Sequence, residues 1–280
     1  MNFRFGGFGG LTPVVKNLLI INGLFFLATI SFGQTFNINL YEVLGLRYFG
    51  ADKFMPYQFI SYMFMHGGFM HIFFNMFALW MFGRVLEQIW GAKRFLFFYF
   101  FTGVGAAIVH YAVFYYQMQP TLSAINSFLD NPQHEALLTF LNSEKFKILS
   151  YDMQMSYQAF AQQYNEIVSV NKALALENAV DYMANYKREY LNAPIVVGAS
   201  GAVFGILLAF GMLFPNTMLY VYFAIPIKAK YFVIIYGALE LYLGIANNPG
   251  DNVAHFAHLG GMIFGFILIK IWQKRSKRFF

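Results

Sequence analysis

The chain has 280 residues, of which 59% are hydrophobic and only 11% are charged, and its formal net charge is +6. Soluble chains carry about 25% charged residues and cannot hide so much apolar area. This composition excludes a disordered chain, a typical soluble enzyme and a nucleic-acid-binding protein, since the basic residues lie beside apolar runs. Because there is no cysteine, disulfides, thiolate metal sites and cysteine nucleophiles are excluded as well.

Six apolar segments follow one another along the chain and are predicted to span a membrane. They cover about residues 18–32, 69–82, 95–116, 195–214, 231–246 and 256–272. A helix needs about 20 residues to cross the hydrocarbon core, so the shorter segments are expected to begin inside the membrane beside a cavity. The predicted organisation is a segment at 1–17, spans 1–3 at 18–116 with a loop at 33–68, an insertion at 117–193, spans 4–6 at 194–273 and a basic tail at 274–280.

The insertion at 117–193 is rich in charged residues, in contrast to the segments around it. Its apolar residues Phe160, Tyr164, Ile167 and Leu174 fall near helical spacing, which predicts amphipathic helices. The fold class is therefore an all-α polytopic membrane protein, a bundle of six transmembrane helices with an additional helical insertion.

The distribution of charge predicts the orientation. If both termini are cytosolic, the Lys and Arg residues of every short loop fall on the cytosolic side, with Glu87 as the only acid there. The other acids and the insertion then lie on the outer side. We expect a multi-pass protein of a bacterial cytoplasmic membrane.

Polar residues inside the apolar segments carry the functional signal, because such groups usually face the bundle interior or a water-filled cavity. His71 and Asn75 are four residues apart in segment two and share a helix face. Segment four opens with Gly198-Ala-Ser200-Gly201, and segment six contains Ala257-His258-Leu-Gly-Gly261. Each has an ordinary structural explanation when taken alone: Ser bonding its own backbone, Gly packing helices, and His or Asn joining them.

The predicted depths bring three of these residues together. At ~1.5 Å per residue, Ser200 lies ~22 Å, His258 ~18 Å and His71 ~20 Å from the inner end of its segment. A serine hydroxyl becomes a nucleophile when a histidine takes its proton, and neighbouring donors stabilise the oxyanion that forms. No carboxylate is evident beside them, since Asp251 falls in a loop and Glu240 is interpreted as an interhelical contact. The sequence therefore predicts a Ser–His dyad.

The ordered motifs His-x-x-x-Asn, Gly-x-Ser-Gly and Ala-His-Leu-Gly-Gly resemble the rhomboid family of intramembrane serine proteases, although the resemblance leaves out residues 117–192. It implies that Ser200 is the nucleophile and His258 the general base. It further implies an oxyanion hole at His71, Asn75 and the Ser200 backbone N–H. Supporting or packing roles fall to Gly198, Gly201, Phe204, Gly261, Gly265 and His66.

Two departures and one competitor accompany this resemblance. Many members of the family have a Trp-Arg pair where this chain has Tyr57-Gln58, and Phe204 stands where some have a tyrosine that stacks on the catalytic histidine. His255 competes with His258 as the base, but only His258 is followed by Leu-Gly-Gly.

The expected reaction is hydrolysis of a peptide bond in a single-span or membrane-anchored protein, within the lipid bilayer, without metal or cofactor and without a nucleic-acid partner. The alternative is a non-catalytic rhomboid-like protein that binds membrane helices. A metal site built on His66, His71, His255 and His258 is disfavoured, because the chain has no His-Glu-x-x-His motif and few acids in its spans.

Overall fold

The structure is a computed structural model that describes residues 10–221, 224–246 and 253–275. The described residues form two compact units. The first unit takes its residues from Met1–Leu46, Tyr57–His110 and Val196–Phe280, and the second from Arg47–Pro56 and Tyr111–Ile195. The predicted triad candidate Asp251 and the basic residues Arg4, Lys277 and Arg278 lie outside the described residues.

Helices dominate the described part of the chain. In chain order, the helices are α1 (Pro13–Phe36), α2 (Leu40–Leu44), α3 (Gln58–Ser61), α4 (Phe69–Ala78), α5 (Arg84–Trp90), α6 (Ala92–Asp130), α7 (His134–Leu141), α8 (Tyr151–Val168), α9 (Lys172–Asn192), α10 (Ser200–Leu213), α11 (Ala229–Ala246) and α12 (His255–Arg275). A 3-10 turn at Tyr62–Phe64 precedes α4, and a π-helical turn at Leu79–Gly83 joins α4 to α5. Short strands are β1 (Leu46–Arg47), β2 (Ile195–Val196), β3 (Met218–Val221) and β4 (Ile225–Lys228).

Within the described residues, five helical stretches are long and apolar enough to cross a membrane: Pro13–Phe36, Phe69–Trp90, Ala92–Asp130, Ala229–Ala246 and His255–Lys274. The sixth apolar helix, α10, has only 14 residues and rises ~21 Å, less than the ~30 Å of a hydrocarbon core. It begins later than the predicted segment, since Ile195 and Val196 form β2. The all-α polytopic membrane fold is confirmed.

Helix α6 continues beyond the predicted end of the third span. We expected a boundary near Tyr116, but α6 continues to Asp130 through Pro120. The residues beyond Tyr116 are more polar, yet their apolar members Met118, Ile125 and Phe128 are buried in the core of the second unit. Burial of one face keeps this stretch helical although it lacks the continuous apolar character of a span.

The second unit is built around aromatic side chains. Phe160 and Tyr182 stack with ring centroids 4.0 Å apart and an interplanar angle of 4°. Tyr164 is also buried, as expected for an amphipathic α8, whereas Leu174 lies in α9 and is 42% exposed. Because α8 ends at Val168 and α9 begins at Lys172, the helical phase does not continue from one to the other.

Glycine residues bring α12 directly onto α10 in the first unit. A Cβ atom at Gly261 would overlap the Gly201 carbonyl oxygen, and one at Gly265 would lie 3.3 Å from the Gly205 backbone. A Cβ atom at Gly201 would lie 2.5 Å from Ala106 Cβ, so α6 also approaches α10 closely at this glycine. The packing predicted for Gly261 and Gly265 against the serine-bearing helix is therefore seen in the structure.

Candidate active site

Ser200 is the first residue of α10, and the chain turns just before it at Gly198, whose φ of +129° favours glycine. A Cβ atom at Gly198 would lie 2.8 Å from His71 Nε2 and 3.4 Å from Ser200 Oγ. The missing side chain thus leaves open the space between Ser200 and His71. Since the helix starts at Ser200, its first backbone N–H groups have no carbonyl partner within α10.

His258 lies in the first turn of α12, where its Nε2 is 2.8 Å from Ser200 Oγ. The two residues are 58 positions apart in the chain, so the close packing of α12 on α10 brings them together. The ring of Phe204 stacks on the imidazole with centroids 4.2 Å apart and an interplanar angle of 5°. Phe204 therefore fixes the plane of the His258 ring, as a tyrosine would, without a hydroxyl group.

His71 approaches the same space from α4. The Gly67 backbone N–H donates to His71 Nδ1 at 3.3 Å. A neutral imidazole that accepts at one nitrogen carries its proton on the other, so Nε2 is a donor. Because Nε2 is the atom nearest to the empty Gly198 Cβ position, this N–H lies beside Ser200.

Asn75 is buried one turn further along α4, but its amide is engaged elsewhere. Its Nδ2 donates to the His71 carbonyl oxygen of the same helix at 3.0 Å. The structure thus brings Ser200, His258 and His71 together and places Asn75 next to them without a hydrogen bond to Ser200. The role of Asn75 in the oxyanion hole stays a prediction.

The loop before α4 lacks the Trp-Arg pair, and the side chains of Tyr57 and Gln58 anchor it instead. Tyr57 Oη and Gln58 Nε2 donate to the Val43 carbonyl oxygen at 3.1 and 3.2 Å. His66 is fully buried, with its ring edge-on to His71 at a centroid distance of 5.1 Å. The Tyr41 hydroxyl donates to the His66 carbonyl oxygen at 2.7 Å. His66 thus supports the position of His71.

Glu240 is the site residue whose place the sequence analysis missed. Its Oε2 lies 2.8 Å from His258 Nδ1 and 2.6 Å from His255 Nδ1, and all three side chains are buried. The interhelical contact expected for Glu240 is seen, and one of its two partners is the candidate base His258. His255 contacts Glu240, and His258 contacts both Glu240 and Ser200.

A sequence signal for Glu240 existed in the pattern of α11. The buried residues of this helix include Val233, Glu240 and Gly244, which recur at the spacing of one helix face. A carboxylate on the packed face of a membrane helix needs a partner, because an unpaired charge there is costly. That argument predicts a buried partner, although it does not say which one.

The same three residues are the group in the described part of the chain that offers metal-ligand atoms within 4.8 Å of one another. Two ligand atoms about 2.0 Å from a tetrahedral zinc ion stand about 3.3 Å apart. The distances of 2.6 and 2.8 Å from Glu240 to the two histidines are shorter and match direct hydrogen bonds. We therefore interpret this cluster as a hydrogen-bonded network.

Comparisons with known proteins bear on this arrangement. A family model described as the Rhomboid domain matches residues 53–124 and 156–275, more than half of the chain. The match includes His71, Asn75, Ser200, Glu240 and His258, as well as part of the insertion. An uncharacterized rhomboid protein of Schizosaccharomyces pombe, described as mitochondrial, is 36% identical over 87 residues, which are 29% of this chain and 22% of that protein. The chain therefore matches about a fifth of the length of that relative.

Proposed function

The chain belongs to the rhomboid family, and we propose that it is a serine endopeptidase that hydrolyses peptide bonds of membrane-anchored proteins. One observation carries this proposal: His258 Nε2 lies 2.8 Å from Ser200 Oγ. This distance is within hydrogen-bond reach of a general base and its nucleophile. Both residues are held by packed helices rather than by loose loops, which favours a preorganised site.

The reaction follows from this contact. His258 Nε2 takes the hydroxyl proton as Ser200 Oγ attacks the scissile carbonyl carbon, forming a tetrahedral oxyanion. The protonated His258 then gives its proton to the leaving amine as the C–N bond breaks, which leaves an acyl-enzyme on Ser200. A water molecule repeats the attack with His258 as base, releasing the acid and restoring the serine hydroxyl.

Donors for the oxyanion surround the open space beside Gly198. The His71 Nε2–H and the Ser200 backbone N–H are the two groups that the geometry favours. Asn75 becomes a third donor when its amide turns from the His71 carbonyl oxygen to substrate. One donor of this kind is worth about 3 kcal/mol of transition-state stabilisation.

The substrate class follows from the membrane context of the site. Helical segments keep their backbone carbonyl and N–H groups paired, so the cleaved stretch must be presented unwound. We propose single-span or otherwise anchored substrates with small or helix-breaking residues near the cut. We propose that the site opens toward the outer side, as the positive-inside rule predicts, so that water has access to it.

The test of this function is covalent labelling with a fluorophosphonate probe. The wild type should be labelled and should cleave a membrane-anchored reporter, whereas Ser200→Ala should do neither. Thr29→Ala is the matched control, since it removes a hydroxyl that donates only to the Phe25 carbonyl oxygen of its own helix. Labelling that persists in Ser200→Ala would refute Ser200 as the nucleophile. An unlabelled wild type that still binds membrane helices would favour the non-catalytic alternative.

A further inference from the structure

Glu240 stands on the face of α11 that packs against α12. Val233, Glu240 and Gly244 are all buried, and a Cβ atom at Gly244 would lie 3.2 Å from His255 Cβ. The close approach of the two helices at Gly244 places the carboxylate against the first turn of α12, where His255 and His258 are three residues apart. The carboxylate therefore faces the candidate base and not lipid.

A single oxygen of Glu240 serves both histidines, with Nδ1 of each ring within hydrogen-bond distance of Oε2. An ionised carboxylate only accepts hydrogen bonds, so each Nδ1 carries a proton and donates. A neutral His258 that is protonated at Nδ1 has its free lone pair on Nε2. This lone pair is the one that faces the Ser200 hydroxyl.

We propose that Glu240 is a positioning residue that holds His258 in the Nδ1-protonated tautomer, and that His255 is the second donor that keeps the Glu240 carboxylate in place. Glu240 touches no reacting atom and acts only through His258. This inference rests on the proposed function for its catalytic consequence. The tautomer itself follows from the hydrogen bonds alone and is measured independently of activity.

Electrostatics adds a second effect to the positioning. His258 gains a positive charge when it takes the Ser200 proton, and the Glu240 carboxylate lies 2.8 Å from its other nitrogen. An opposite charge at this distance stabilises the imidazolium in the transition state more than it stabilises the neutral ring in the ground state. His71 of α4 and His110 of α6 also interact electrostatically with His258. Glu240 is thus the negative group in a cluster of otherwise neutral or positive side chains.

Glu240→Gln and Glu240→Asp form the informative pair of variants. The amide that Glu240→Gln introduces is free to donate to His258 Nδ1, which moves the ring proton to Nε2 and removes the base. We expect kcat to fall by about 10²–10⁴-fold with KM within about twofold of wild type, because the side chain does not touch substrate. Glu240→Asp keeps a carboxylate and should retain more of kcat than Glu240→Gln.

A second pair of variants tests His255 without changing Glu240. His255→Gln keeps an N–H donor for the carboxylate, whereas His255→Phe keeps a planar ring without a donor. We expect His255→Gln to retain several-fold more kcat than His255→Phe. Equal activity of the two would contradict the positioning role of His255.

The direct measurement is ¹⁵N NMR of histidine-labelled protein, with the His258 signal assigned by its loss in His258→Ala. The wild type should show a protonated Nδ1 and an unprotonated Nε2, and Glu240→Gln should weaken or reverse this preference. An unlabelled, inactive wild type with the expected tautomer would sink the proposed function and leave this inference standing. It is overturned if Nε2 carries the proton in the wild type, if Glu240→Gln keeps kcat within about threefold, or if a chelator abolishes wild-type activity and reveals a metal site.

Discussion

His66 shows what burial does to a single titratable side chain at the edge of the site. Its ring is fully buried, and this burial, followed by the neighbouring His71, lowers its pKa from 6.5 to about 4. In the unfolded chain the same residue takes up a proton near pH 6.5. The folded state is therefore favoured above pH 6.5, and this stabilisation is lost as the pH falls toward 4.

The resulting prediction is a pH-dependent stability that His66 controls. Between pH 7 and pH 4, the wild type should lose about 3 kcal/mol more free energy of unfolding than His66→Gln, whose amide does not titrate. Denaturant unfolding in detergent at a series of pH values measures this difference in the free energy of unfolding. Titration of the carboxylates affects both proteins equally and cancels when the two are compared. If the free energies of unfolding of the two proteins fell in parallel with pH, His66 would be protonated in the folded state as easily as in the unfolded chain, which would contradict the prediction.

The site residues that could be predicted from the sequence are those that lie within short motifs. Ser200, His258 and Phe204 stand within a few positions of glycines whose packing role is recognisable, and the structure brings the three together. Glu240 belongs to no motif, and its contact with His258 depends on how α11 is rotated against α12. That rotation is set by packing over the whole helix, so no local pattern reports it.

Among the elements, the pair α10 and α12 decides whether the site forms. At Gly261 the two backbones are so close that any side chain would overlap the Gly201 carbonyl oxygen. Small residues allow this approach in membrane helices, where van der Waals packing replaces the hydrophobic effect. The contact between Ser200 and His258 depends on this interface because each residue lies on one of the two helices.

We expect Gly261→Ala to force the helices apart, which should destabilise the protein by about 1–3 kcal/mol and reduce fluorophosphonate labelling. Gly23→Ala in α1 is the matched control, because a Cβ atom there meets nothing within 4 Å. The control should leave both stability and labelling near wild type. Wild-type labelling of Gly261→Ala would mean that the helices tolerate separation and that the interface does not set the site.

The elements that escaped prediction share a physical cause. The hairpin of β3 and β4 pairs Met218 with Lys228 over four residues a strand, too short to give an alternating pattern. Helix α6 continues past the predicted end of its apolar segment because its polar part is buried along one face in the second unit, which hydropathy does not report. In both cases the deciding contact is with another part of the chain.

At the scale of the whole molecule, composition and the succession of apolar segments were sufficient to predict the fold class. In the part of the chain that the structure describes, five helical stretches meet the length and hydropathy of a span, and α10 completes the predicted set of six as a shorter helix. The helical character of the insertion was also predicted correctly, since α7, α8 and α9 follow the second part of α6. The inclusion of Arg47–Pro56 in the second unit was not foreseen, because this stretch is distant in sequence from the insertion.

The length of α10 predicts a dependence on the bilayer. Its 14 residues are about 9 Å shorter than a typical hydrocarbon core, so non-helical backbone before Ser200 must cover the remaining depth. In this stretch the Gly198 N–H donates to the Tyr62 carbonyl oxygen. In vesicles of phosphatidylcholines with increasing acyl-chain length, cleavage of a membrane-anchored reporter should become slower. Fluorophosphonate labelling in detergent serves as the control for intact protein. A constant cleavage rate across the series would contradict this expectation.

Burial of this short helix has a consequence for how the serine responds to membrane thickness. Most of α10 is buried among its neighbours, so its 14 residues are matched by protein packing and not by acyl chains. A bilayer incurs an elastic cost, fractions of a kcal/mol per ångström, where lipid borders a protein of different thickness. Such mismatch acts on outward-facing residues such as Leu24 and Leu27 of α1. The bundle thus fixes the depth of Ser200, and a thicker membrane leaves it farther from the surrounding water.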